Sequence, residues 1–194
     1  HRVDRRQRQM CIRDSGRSAE SHYPTMSIEE IADLPVKKLA DENCALFLWV
    51  TFPLLREIWK VIDAWGFTYK SVAFVWIKQN KKADSLFWGM GYWTRANAEI
   101  CILATKGSPK RYSKRVHQVI VSHIEEHSKK PEEARGRIEQ LMGDVPRIEL
   151  FARRETPGWD VWGNEVSCSL GTEILQENKR KETSEKKMGE LLNL

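Results

Sequence analysis

The chain has 194 residues, 41% hydrophobic and 30% charged, which suits one well-filled soluble core and is short for two. Its net charge of +5 permits a nucleic-acid partner without arguing for one, because 27 acidic residues offset 32 basic ones. No apolar run approaches the roughly 18 residues of a membrane helix, no apolar segment follows the basic start, and no two cysteines form a CxxC pair, so a spanning helix, a secretory leader and structural zinc are not expected.

Residues 1–15 have neither alternation nor an apolar run and read as a disordered segment, foreign to the fold that follows. A domain is expected over 16–166, entered through the surface loop "SGRSAESHYPTMS". Ser27 and Glu30 have capping-box spacing, which predicts a short helix with Ile28, Ile31 and Ala32 inward and Pro35 ending or bending it. "CALFLWVT" (44–51) reads as a strand buried on both faces. Leu54, Leu55, Ile58, Val61, Ile62 and Trp65 recur at helical spacing after Pro53, with Gly66 as the stop. Strands are predicted at 69–79 and 98–107, separated by a polar, glycine-bearing loop with aromatic residues. A basic loop, "SPKRYSKRVHQ", leads to a short strand at 119–122. Pro131 opens a helix with acidic residues in its first turn, and Gly143 closes it. A strand at 146–153 feeds a loop over 154–166, and 167–194 is a polar, mobile tail. Cys44 and Cys101 read as buried thiols of a reducing compartment.

Strands alternate with helices, so the expected fold is three-layer α/β with a mostly parallel sheet. Ligands of such folds sit at the carboxyl ends of the strands. Lys78, Gln79 and Asn80 follow one strand, Arg153, Arg154 and Glu155 another, and Asn164 and Glu165 the last loop. Such groups suit ribose hydroxyls, carboxylates or phosphates, although each alone is more ordinarily a solvated strand end. Lys129 and Lys130 precede the Pro131 helix, where an anion site and a decorated helix start are equally compatible with the spacing. The histidines have no metal-ligand spacing, and GxGxxG, GxxxxGK[ST] and GxSxG are all absent.

The stretches "GRSAESHYPTMSIEEI", "CALFLWVT", "AWGFTYKSVAFVWIKQN", "GYWTRANAEICILATKG", "HSKKPEEARGRIEQL" and "RIELFARRETPGWDVWGNEV" together resemble the MT-A70 adenine-N6 methyltransferases, nearer to the compact phage and bacterial members. The resemblance implies a class I methyltransferase, Rossmann-like fold, S-adenosyl-L-methionine as methyl donor and adenine N6 in nucleic acid as acceptor, DNA before RNA. By position it implies cofactor roles for Lys130, Arg153, Asn164 and Glu165. It implies substrate-side roles for His22, Tyr23, Lys78, Asn80, Trp93 and Arg95. No metal and no membrane partner are implied. A cytoplasmic setting in a bacterial or phage-infected cell is expected, with a protein partner or dimer as a further option.

The family's D-P-P-W motif ends a central strand and holds the adenine amine. Here the seven prolines include no adjacent pair, so no residue receives the catalytic role. The expectation is a sheet lacking one central strand, between the 146–153 and 44–51 strands, and a chain that is weak or inactive alone. A truncated enzyme is the first reading of this. The alternative is a non-catalytic subunit of methyltransferase fold, binding nucleic acid or a partner through Lys106, Lys110, Arg111, Lys114 and Arg115.

Overall fold

A computed structural model describes residues 26–169 except Tyr92, His127 and Ser128. The segment 1–15, the residues His22 and Tyr23, and the tail from 170 lie outside the described residues. In chain order the elements are α1 (Ile28–Ala32), α2 (Val36–Leu39), β1 (Cys44–Val50), a 3-10 turn (Phe52–Leu54), α3 (Ile58–Ala64), β2 (Thr68–Gln79), β3 (Ala98–Lys106), β4 (Val119–His123), α4 (Glu132–Met142), β5 (Ile148–Leu150) and β6 (Asp160–Trp162). No helix among them is long and apolar enough to cross a membrane.

The local signals act as their chemistry dictates. Ser27 Oγ accepts from Glu30 N at 3.1 Å while Glu30 Oε2 accepts from Ser27 N at 2.7 Å, closing the capping box of α1. Pro35 starts α2 instead of only ending α1. Pro53 sits in the 3-10 turn, and the α-helical part of the predicted helix begins at Ile58.

The four-stranded sheet has the order β1-β3-β2-β4. The expectation of a mostly parallel sheet needs correction: the sheet is mixed. β3 runs antiparallel to both β1 and β2, whereas β2 and β4 are parallel. The cause is the connection. A parallel crossover needs room, usually for a helix, but residues 80–97 hold no helix and return β3 directly beside β2. Because β3 lies between β1 and β2, those two strands still point the same way. β5 and β6 form a separate parallel pair; β6 emerges within a segment expected to be loop.

The sheet is covered on both faces, giving three layers. Alternation along β3 sends Ile100, Ile102 and Ala104 into a core with Val61, Ile62 and Trp65 of the α3 region and Leu34 and Val36. Trp65 Nε1 donates to Ile31 O at 3.0 Å, tying α3 to α1. Cys101 points the other way, into a second core with Phe74, Trp76, Ile120 and Ala134 of α4. Cys101 is buried, and burial pushes its thiol up to about 12, with nearby Lys130 opposing; Cys44 is only partly buried.

Candidate functional site

Ion pairs between distant segments mark the rim above the carboxyl ends of β1, β2 and β4. Glu99, second residue of the reversed β3, comes up at this same end because Ile77 and Ala98 are partners in the β2–β3 ladder. Lys78 Nζ donates to Glu99 Oε1 at 2.5 Å, and Lys130 Nζ donates to Glu99 Oε2 at 2.6 Å. The carboxylate is 15% exposed, against 19% for Lys78 and 32% for Lys130, so water screens the group weakly. Burial alone would raise the Glu99 carboxyl. Lys130 and Lys78 outweigh burial and hold it below the usual carboxylate value.

Two tryptophans floor this cluster. Lys78 Nζ lies 5.0 Å from the Trp76 ring centre and Lys130 Nζ 5.9 Å from that of Trp49, within cation–π range. The two rings meet edge to face at 6.5 Å. Trp76 Nε1, on the second residue before Lys78, is buried without a hydrogen-bond partner. Ser122 Oγ is likewise buried and unpartnered, and Ser122 is the ladder partner of Lys78. Two cations, one carboxylate and two buried donors thus share one face. Such a set suits a ligand with acceptor oxygens.

A second group lies at the end of β5 and β6. Phe151 adopts a left-handed φ of 61°, uncommon for an aromatic residue, and its ring meets Trp162 edge to face at 5.4 Å. Ala152 N donates to Trp162 O at 2.9 Å, and a Cβ on Gly163 would fall 2.0 Å from Ala152 O, so the two chain segments leave room only for glycine there. Past this tight pairing, Arg153 Nε donates to Glu165 Oε1 at 3.0 Å. Arg154 pairs with Glu132 in the first turn of α4, linking this group to the helix that follows Lys130.

The structure therefore brings Lys78 and Lys130 together through Glu99, and Arg153 and Glu165 through a direct ion pair, with Asn164 adjacent in sequence. Asn80 Nδ2 donates to Ser85 Oγ at 2.9 Å and Leu86 O at 3.1 Å, shaping the 80–97 loop. Trp93 and Arg95 stand exposed on that loop, Trp93 at 91%. Lys106 leaves the expected basic patch, because Nζ donates to Ala40 O at 2.8 Å. Glu99 was missed by a reading that looked only beyond strand ends. Its signal was a lone carboxylate at the start of an otherwise apolar strand.

An α/β fold with cations, carboxylates and aromatic faces gathered above its strand ends defines a domain of the nucleotide- and cofactor-binding class. The family profile MT-A70 matches residues 7–165, and the chain belongs to the MT-A70 family. That membership classes it with adenine-N6 methyltransferases, whose methyl donor is S-adenosylmethionine. The chain is 34% identical over 151 residues to the Type II methyltransferase M.MunI of Mycoplasma sp, covering 77% of this chain and 62% of that protein. It is 32% identical over 165 residues to a putative N(6)-adenosine-methyltransferase MT-A70-like protein of Medicago truncatula, covering 83% of this chain and 26% of that one. It is also 32% identical over 152 residues to the N(6)-adenosine-methyltransferase catalytic subunit METTL3 of Homo sapiens, covering 76% and 26%. The chain thus spans about three-fifths of the Mycoplasma relative and about a quarter of the other two.

Proposed function

We propose that this domain binds S-adenosylmethionine and takes part in methyl transfer to adenine N6 in nucleic acid, DNA before RNA. The observation that carries the reading is the Lys78–Glu99–Lys130 cluster over Trp49 and Trp76, in a chain of this family. The residues fit the donor: Lys130 and Arg153 suit a carboxylate and hydroxyls, Asn164 and Glu165 suit ribose hydroxyls, and the buried Trp76 N–H suits an acceptor oxygen. When bound, the donor supplies a methyl group already activated on a sulfonium, so the protein's contribution is positioning and exclusion of water. Glu99 fixes both lysines over the two tryptophans. Lys78, Asn80, Trp93 and Arg95 are assigned to the substrate side, with His22 and Tyr23.

DNA is favoured by the resemblance to compact phage and bacterial members. We further propose that residues 1–194 alone transfer methyl groups weakly, because they contain no Asp-Pro-Pro-Trp. A binding subunit without its own catalysis is the second reading, favoured by the unpaired basic loop described below.

Calorimetric titration with S-adenosylmethionine tests the proposal. One-site binding is expected, weakened about tenfold or more by Lys130→Ala through loss of a charge-assisted hydrogen bond. A folded chain that gives no binding heat would sink the cofactor assignment. Replacing residues 1–15 by a strand ending in Asp-Pro-Pro-Trp is expected to raise transfer to an adenine-containing duplex. Equal rates before and after would remove the missing motif as the explanation for weak activity.

A further inference from the structure

The other end of the sheet carries a surface that the rim does not explain. From Ile100 to Ile124 the sequence contains no Asp or Glu, yet it includes Lys110, Arg111, Lys114 and Arg115. Among the described residues none of these four side chains makes an ion pair. The neighbouring cations Lys129, Arg135, Arg137 and Arg147 all do. Unpaired cations concentrated on one loop repel each other, so the arrangement lacks a folding rationale of its own.

The loop is nonetheless anchored. Tyr112 N and Ser113 N both donate to Leu141 O, at 2.7 and 3.2 Å, docking it on the carboxyl end of α4. That helix end attracts cations, but its partial charge is equivalent to only about half an electron and leaves most of the four positive charges unbalanced. The Tyr112 side chain stands 83% exposed in the middle of the basic run. Beside it lies an open groove of about 710 Å³, lined among others by Tyr112, Lys114, Arg115, Glu139, Asp144 and Arg147. Of its two carboxylates, Asp144 pairs with Arg147 at 3.4 Å, whereas Glu139 accepts from the neutral Trp159 Nε1 at 2.7 Å and keeps its charge. Lys114 and Arg115 pair with neither, and with Arg147 they outnumber the two carboxylates of the lining, which leaves a net positive charge for an outside anion.

We propose that the β3–β4 loop is a second nucleic-acid contact, in which Lys110, Arg111, Lys114 and Arg115 neutralise backbone phosphates and Tyr112 packs against sugar or base. The proposal rests on the nucleic-acid reading above and adds where the flanking polymer is held. An acidic protein would use the charges but gives no role to an aromatic among them, whereas nucleic acid uses both. The loop begins beyond Lys106, at the Thr68 end of β2, ten residues from Lys78. β3 covers the same span in seven steps, Ala98 to Thr105, because two bulges shorten β2, so the two ends of the sheet are about 23 Å apart at about 3.3 Å per residue, less than one turn of duplex. The loop cannot touch the target base. Its cations hold the flanking backbone within a turn of that base.

Fluorescence anisotropy with duplex DNA of 10 and 30 base pairs tests this. The variant is Lys110→Glu, Arg111→Glu, Lys114→Glu and Arg115→Glu together, with the four-fold Gln variant as a milder companion. At low salt the Glu variant is expected to bind the 30-mer at least about tenfold more weakly. The slope of log affinity against log salt should flatten by about 3 to 4, the value for four phosphate contacts. The Gln variant should fall between, and the 10-mer should show a much smaller difference. S-adenosylmethionine titration of each variant should match the parent, because the rim is untouched. Unchanged duplex affinity and salt slope in either variant, with cofactor binding intact, would overturn the proposal and leave the rim's reading standing. Failure of the parent chain to bind S-adenosylmethionine would instead count against the rim's reading.

Discussion

Glu99 is the residue on which the rim turns. Its single carboxylate bridges two lysines that would otherwise face each other in a weakly hydrated place, and breaking such a buried pair from one side costs about 3 kcal/mol. Glu99→Gln should therefore lower stability at pH 7 by about that amount in denaturant titrations. The sign of its pH dependence follows. The folded-state carboxyl is held below its ordinary value, so its contribution is full above the unfolded pKa and is lost as pH falls through the folded one. The gap between parent and variant should begin to close as pH falls past the ordinary carboxylate value of about 4.3 and disappear only below the lower folded-state one. A constant gap across that window would show that the pairing with lysine is not what Glu99 contributes. Lys78 was legible in the sequence as a polar group after an apolar strand, and Lys130 as a cation before the Pro131 helix whose role the family resemblance implied. Glu99 was not, because β3 read as running with its neighbours, which placed its first residues at the wrong end of the sheet.

Among the elements, those with a local chemical signature were legible and those defined by pairing were not. The capping box of α1, the acidic first turn of α4 and the apolar runs of β1 and β3 each follow from neighbouring residues. The direction of β3 and the existence of β6 depend on what lies across from them, which no short window records. The end of α4 combines both kinds of cause. Gly143 has φ +77°, and a Cβ there would meet Tyr112 Cβ and Cγ at 3.2 Å. Gly143→Ala should cost about 1–3 kcal/mol, from the left-handed backbone and from pressure on Tyr112. It should also loosen the docked loop, so amides of residues 108–118 should exchange with solvent faster than in the parent. A stability loss with unchanged exchange in that loop would mean the loop is held by other contacts.

At the scale of the molecule, one core serves two sheets that do not join among the described residues. Leu46 and Leu48 of β1, Leu150 of β5 and Trp162 of β6 all pack into the core beneath α1–α3, yet β1 pairs only with β3 and β5 only with β6. Among the described residues the core is therefore continuous where the ladder is interrupted, since side-chain burial tolerates a gap that hydrogen bonding does not. Hydrogen exchange measures the difference directly. β3 is laddered on both sides and should exchange near the rate of global unfolding. In β1, alternate amides face β3 and should match it, while the intervening ones should exchange faster by several orders of magnitude. Protection of all β1 amides to the level of β3 would mean that residues outside the described ones already supply a ladder partner. The same measurement on the chain bearing an Asp-Pro-Pro-Trp strand should slow the fast half of β1 and the outer amides of β5 together. One inserted strand would then be pairing with both edges, and the rim would be completed at the position where β1 and β5 now end separately.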